Sequence, residues 1–497
     1  MPPHYLHLTR HHRIMIQRQE IFQRVWSFIR NPPTLLFIFC LVTLLELEES
    51  VQRAPTIRLL ENAICQRYYR DKQLDGPVDE FMCKEDSIQV KLAHVRGLLS
   101  FFDSLPLLIF GPAFGKIADK RGRRPAFALA VFGLLCSLGW IYMTCASWKH
   151  IPVEVVWVSS LFRIIGGGPA IAIAMCLTMV SDLSSEANRS NSFYRVYSAV
   201  LVTDLIGPLI TYSTLKHSLW LPYLVCALAL LLTGPIVQYM PETLLVRPED
   251  DEEETPFEAV GVKKYIRFLK DLRILVGVAT VFLVQFRSNT IEILLPYTSV
   301  RFGLEIGESA TLLSLVSAVN LVVFLVILPA ATSVLKKRAG WSTTTINIYV
   351  ARVSSALLVS GAVILSAAST LGFVILALIV YAAGFGVRLS ILAVLTSFVN
   401  SARDTGQLYT LVATTDAIAH MIASPLLQSV WSRALKLGGR WIVLPFLVLT
   451  GIFFVAFLIS CALTEKPVML GGGDGEEEVD ESQEPLLSGE DDDDDDN

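Results

Sequence analysis

The sequence predicts an all-α membrane protein of twelve transmembrane helices. Three observations predict it. The chain is 53% hydrophobic and 18% charged, with mean hydropathy +0.53, whereas soluble domains are roughly 45–50% apolar and about 25% charged. The apolar residues gather in blocks of about 20, the length a helix needs to cross roughly 30 Å of hydrocarbon. Those blocks are apolar all round, whereas strands of a membrane barrel alternate apolar and polar residues.

The spans fall near 33–52, 92–115, 125–146, 153–178, 191–213, 219–240, 274–298, 308–332, 348–368, 371–397, 407–431 and 441–463. The first is the least apolar, because Glu46, Glu48 and Glu49 lie near its end. The polar stretch 241–273 divides the spans six and six. This gives an N-terminal segment 1–32, a first half 33–240, a central loop 241–273, a second half 274–464 and an acidic tail 465–497. The net charge of -5 owes most to the terminal run of six aspartates. The tail is too polar to bury a core and is expected to be disordered.

Lys and Arg concentrate in loops on the cytosolic side of a membrane. Lys116, Lys120, Arg121, Arg123 and Arg124 follow span 2; Lys336, Lys337 and Arg338 follow span 8. The central loop adds Lys263, Lys264, Arg267, Lys270 and Arg273. All share one side if both termini are cytosolic. The opposite short loops hold little beyond Lys149, Lys216 and Arg301; the stretch 53–91 and the pair Arg433 and Arg440 are exceptions. Residues 10–30 are Arg-rich with interleaved apolar side chains, which predicts an amphipathic helix on the cytosolic leaflet, the alternative being an organellar presequence.

Residues 53–91 read as a long outer loop holding Cys65 and Cys83. On an oxidising side these two are expected to form a disulfide, against the alternative of two free thiols. The other cysteines fall within spans, as small packing residues. No metal-ligand spacing, nucleotide-binding loop or nucleophile motif is present, so neither cofactor nor enzymatic activity is expected. The bilayer and a small-molecule solute are the expected partners, with no nucleic acid.

Between spans 2 and 3 the chain reads Gly115-Lys116-Ile117-Ala118-Asp119-Lys120-Arg121-Gly122-Arg123-Arg124-Pro125. Gly115 would let span 2 approach a neighbouring helix. Asp119 can accept from Arg123 or from a helix N-terminus. Gly122 permits a tight turn, and the arginines anchor the loop in the cytosol.

This stretch resembles the signature loop of the major facilitator superfamily, G-x-x-x-D-[RK]-x-G-R-[RK], at every defined position. The resemblance covers most of residues 35–465. Glu61 to Tyr69, Leu295 to Phe302 and Pro241-Glu242-Thr243 resemble a fungal branch similar to proton-coupled folate and heme carriers. The resemblance implies two pseudo-symmetric six-helix bundles around a central cavity, working as a monomer by alternating access. Internal matches agree in part: Gly168 and Thr178 align with Gly386 and Thr396, and Thr203-Asp204 with Thr415-Asp416. A second signature loop has decayed, with Leu335 where Asp119 would recur. In the tail, the stretch ending Leu486-Leu487 resembles an acidic dileucine signal, so plasma and vacuolar or endosomal membranes are both open.

An ion at the bilayer centre costs at least about 2.5–3.5 kcal/mol, so charges inside spans mark a wet cavity or a partner. The candidates for proton coupling or the substrate cavity are Asp103, Arg163, Asp204, Arg287, Glu292, Arg388, Asp416 and His420. Arg163 to Gly167 resembles the span-4 motif linked to proton coupling, the alternative being an arginine paired to a carboxylate. Asp204 precedes Gly207-Pro208, a remnant of the antiporter motif. Asp416 and His420 share a helix face as a candidate proton site, or as a buried pair with no transport role. The expected function is proton-coupled carriage of a small organic solute, with metabolite export, nutrient uptake and a non-transporting receptor as the competing forms.

Overall fold

The computed structural model describes residues 34–73, 78–184, 186–244, 269–399 and 402–464. The predicted amphipathic segment 10–30, most of the central loop and the tail lie outside the described residues. Among the described residues all regular structure is helical. The rods are α1 (Thr34–Asp71), α2 (Asp86–Arg121), α3 (Arg123–Ala146), α4 (Val153–Leu183), α5 (Glu186–His217) and α6 (Leu221–Tyr239). The second half repeats the plan with α7 (Leu272–Phe302), α8 (Ile306–Ala339), α9 (Thr343–Ala367), α10 (Leu371–Ser397), α11 (Ala402–Leu437) and α12 (Leu444–Cys461). Eleven described helices are long and apolar enough to cross a membrane. The first rod, α1, stands apart because Glu46, Glu48 and Glu49 dilute its apolar stretch.

One sequence expectation needs correction. Residues 53–71 are not loop: α1 runs unbroken for 38 residues. At 1.5 Å per residue that is about 57 Å, nearly twice the hydrocarbon core. Mixed charge suggested a loop, but Ile57, Leu60 and Ile64 recur at helical spacing and are buried. Pro55 sits inside this helix. Its ring cannot donate to the Val51 carbonyl four residues earlier, and the Thr211 hydroxyl of α5 donates to that oxygen instead, at 3.1 Å. A neighbouring side chain thus repairs the backbone where lipid could not.

Within the first half α1 packs on α4, α5 and α6; within the second, α9 packs on α10 and α12. The halves meet along α2 with α11 and along α5 with α8. Small residues allow these approaches. A Cβ on Gly97 would stand 3.1 Å from Cβ of Gln428 and 3.3 Å from Cα of Pro425 on α11. Inside the first half, a Cβ on Gly166 would fall 2.2 Å from Cα of Ala130, which fixes α4 against α3.

Several rods are interrupted. The α4 rod breaks at Gly166, Gly167 and Gly168, where φ is +82° and +78° at the last two. The α7 rod is interrupted at Gln285 and α10 at Gly384 and Phe385. The α8 rod widens to a π turn over Val323–Ile327, just before Pro329, whose missing N–H disturbs the helical ladder.

Candidate functional site

Two of these interruptions meet at a cavity. A space of about 90 Å³ is lined by Val284, Gln285, Arg287 and Ser288 from α7, and by Phe385, Arg388 and Leu389 from α10. Tyr197 of α5 closes it from the other half. Its ring lies 5.0 Å from Phe324 in the α8 π turn and stacks over Phe385 at 6.5 Å. The pocket is therefore shared between the halves, at the level where α7, α8 and α10 of the second half lose regularity.

The sequence-predicted charges divide into local sets. Arg388 donates from Nε and Nη2 to Asp416 Oδ2, the former at 3.1 Å. Arg287 donates to Asn320 Oδ1 at 2.8 Å and lies over the rings of Phe385 and Tyr381 at 5.3 and 5.9 Å. In the first half Arg163 pairs with Asp103 at 3.0 Å, and Ser160 donates to the same carboxylate at 2.5 Å. The pair sits at the α4 break, where Gly167 and Gly168 take φ of +82° and +78°, a region that favours glycine. Asp204 faces Arg53 at 3.8 Å, and Arg53 also holds Glu49 at 3.0 Å. Gly207 packs on α1, where a Cβ would meet Ser50 Oγ at 2.3 Å.

One expectation about pairing changes. His420 does not bond Asp416; its Nδ1 meets Asn289 Oδ1 at 3.2 Å while Asp416 engages Arg388. Residues four apart share a face, but arginine on α10 offers the carboxylate a charged partner. Glu292 points to the boundary between halves, with its Oε2 3.9 Å from Arg96 of α2 and 3.3 Å from Ser424.

At the basic end, Asp119 accepts from Arg123 at 2.6 Å, and Arg123 reaches Asp182 of α4 at 3.4 Å. Gly122 turns the chain with φ +104°. Nothing lies within 4 Å of a Cβ built on Gly115, so the expected close approach is absent here. Lys120 is exposed. Arg124 donates to the Val237 and Gln238 carbonyls at the end of α6, at 2.9 and 2.8 Å. Glu242 accepts from the backbone N–H of Arg123 and Arg124 at 3.0 and 3.2 Å, capping α3. Burial alone would push the Glu242 carboxyl up, but the N–H groups of Arg123, Leu244, Arg124 and Thr243 outweigh it and hold it below its ordinary value.

The opposite end carries a second network. Cys65 and Cys83 are joined in a disulfide, which folds the short helix Glu80–Lys84 against α1. Beneath it Glu61 accepts from Lys84 at 2.8 Å and from Gln89 at 2.6 Å, while Arg58 reaches Glu80 at 2.7 Å. Glu80 then accepts from the backbone N–H of Ile306, the first residue of α8 in the other half, at 2.8 Å.

Sequence reading missed Arg53, Arg96, Tyr197, Asn289 and Asn320. Arg53 was hidden by the presumed loop and Arg96 by its place at the start of α2. Tyr197, Asn289 and Asn320 are uncharged and carry no span-level signal.

The Major Facilitator Superfamily profile matches residues 93–424. The chain is 30% identical over 442 residues to the MFS efflux pump atnC of Emericella nidulans, covering 85% of this chain and 86% of that protein. It is 25% identical over 460 residues to the efflux pump ustT of Aspergillus flavus, covering 86% and 88%. Its fold matches a crystal structure of a D-xylose-proton symporter with TM-score 0.61 at 13% identity, over 86% of this chain and 96% of that one. With helices, signature loop and relatives in agreement, the chain belongs to the Major Facilitator Superfamily and is a multi-pass membrane transporter.

Proposed function

We propose that this transporter exports a small organic solute in exchange for protons, by rocking its two halves about the midplane cavity. The observation that carries the reading is the lining of that cavity, with Tyr197 from one half and Arg287 and Arg388 from the other. A site shared across the interface changes its exposure when the halves move. The relatives named as efflux pumps favour export over folate or heme uptake.

The first half is taken as 33–240 and the second as 274–464, joined by 241–273, with one chain supplying the complete path. The basic end is assigned to the cytosol by its loops, in a plasma or vacuolar membrane. Hydrogen bonds between the halves at the disulfide end then correspond to a path closed to the outside.

Protons are assigned to the carboxylates that hold arginines. Protonating a carboxylate cancels its attraction for a guanidinium and frees both groups. Asp103 with Arg163 is the first candidate, because the pair joins α2 to α4 at the α4 break. Asp204 with Arg53, and Asp416 with Arg388, are the others. The test is substrate exchange in proteoliposomes across a range of pH. Asp103→Asn, with Arg163 kept, should make exchange insensitive to pH; an unchanged pH profile would remove this pair from coupling.

A further inference from the structure

An arginine in the middle of a membrane is expensive and persists where function needs it. Arg388 has an opposite charge beside it, Asp416 of α11. Arg287 has none: among the described residues no carboxylate lies within ion-pair distance of it. Its recorded partners are the Asn320 amide oxygen and the faces of Tyr381 and Phe385. Its Nε is buried without an acceptor. Amide oxygens and ring faces ease the burial of a cation but leave its charge uncancelled. The α7 and α10 wall of the cavity thus presents two guanidiniums, of which Arg388 is paired to a carboxylate of α11 behind the lining and Arg287 is not, an excess of one cation.

Across the cavity stands Tyr197, and the nearest acids of the first half to enter its field and that of Arg287 are Asp204 and, for Tyr197, Glu46. Those acids lie off the cavity lining, and Asp204 shares Arg53 with Glu49. The charge met directly by an occupant is therefore positive. A guanidinium is a planar fork that fits two oxygens of one carboxylate. The space of about 90 Å³ suits such a group with its adjoining atoms, since a whole drug-sized ligand takes about 300–1,000 Å³. The stacked rings of Tyr197 and Phe385 beside it offer a planar apolar body its walls.

We infer that the solute is an organic anion, whose carboxylate or equivalent acidic group seats against Arg287 and Arg388 while its planar apolar part lies along Tyr197 and Phe385. This rests on the carrier reading and supplies its substrate class.

The experiment uses the full chain, in detergent for binding and in proteoliposomes for flux. The probes are naphthoate, its uncharged methyl ester and the cation naphthylmethylamine. Naphthoate is expected to bind saturably, and the ester and amine at least about tenfold more weakly. Arg287→Gln should abolish the preference and Arg287→Lys should retain part of it. Ser288→Asp leaves the guanidinium in place but sets a carboxylate in the cavity, and should abolish the preference as well. The inference is overturned if naphthoate does not bind saturably. It is equally overturned if ester or amine binds as well as the acid, or if Arg287→Gln and Ser288→Asp both leave the preference intact. Flux of ester or amine without preference for the acid overturns the anion assignment and leaves the carrier standing. Naphthoate binding that depends on Arg287, without flux of any probe, retains the site and overturns the carrier reading.

Discussion

Arg96 of α2 donates to the backbone carbonyl of Glu292 on α7, at 3.1 Å, across the boundary between the halves. That carbonyl lies four residues before Pro296, which has no N–H to give it. The proline thus exposes an acceptor that the other half uses. Pro296→Ala would return a helical donor to Glu292 and compete with Arg96. A hydrogen bond to a charged donor is worth about 1.5–3 kcal/mol, less when a rival bond forms, so a loss of about 1 kcal/mol is expected. This corresponds to an approximately fivefold shift toward opening at the disulfide end. Spin-label distances across that end should broaden to longer values; an unchanged distribution would show that the bond does not hold the halves together.

Glu80 provides a second tie, to the N-terminus of α8. A carboxylate there meets both an unpaired backbone N–H and the positive end of the helix. Glu80→Gln keeps the shape and removes the charge, and should weaken closure by about 0.5–1 kcal/mol. Burial pushes the Glu80 carboxyl up, but Arg58, Lys84 and the Ile306 N–H outweigh it and hold it below its ordinary value. A carboxyl held low contributes stability above its ordinary pKa and loses it only as pH falls through the lowered value. The tie should therefore survive mild acid and fail in strong acid. Accessibility of a cysteine placed behind it, measured against external pH, checks this; release beginning at neutral pH would contradict it.

The disulfide closes a short loop, with its cysteines 18 positions apart. Such a crosslink is worth about 3 kcal/mol through the unfolded chain. Cys65→Ser with Cys83→Ser should lower Tm and expose residues 78–85 to protease, because Glu80 is held in place by the same crosslinked segment. If Tm and cleavage both match the parent protein, the segment stands without its crosslink.

Glu242 joins the end of α6 to the start of α3 through backbone N–H groups. Glu242→Gln removes the charge from those bonds, each worth about 1 kcal/mol at a partly exposed site. Transport should fall about threefold to tenfold with the protein still in the membrane. An unchanged rate would mean that this cap is not needed for movement at the basic end.

Much of the architecture was legible because lipid imposes a simple rule, that apolar blocks of one length become helices. The rule failed where α1 outruns the bilayer, since charge cannot separate a loop from a helix packed on protein. The signature loop announced Asp119 and Arg123 because the spacing that places them on one face is local. Partners across space were not legible. That Arg53 meets Asp204, or that Asn289 meets His420, depends on helix rotation, which the pattern of an all-apolar span leaves undetermined. The folate and heme branch suggested by three segments is not shown by the relatives; in the structure Glu61 and Glu242 of those segments bond helix ends, and Tyr297 is fully buried against Phe446, 4.6 Å between ring centroids.

The most direct measurement of the exchange account is proton movement in proteoliposomes carrying an internal pH dye, with solute loaded on one side and no other driving force. Solute leaving by the cytosolic-to-external route should drive protons the opposite way, and an imposed gradient of the same sense should concentrate solute outside. Solute flux with no proton movement, or protons travelling with the solute, would contradict it.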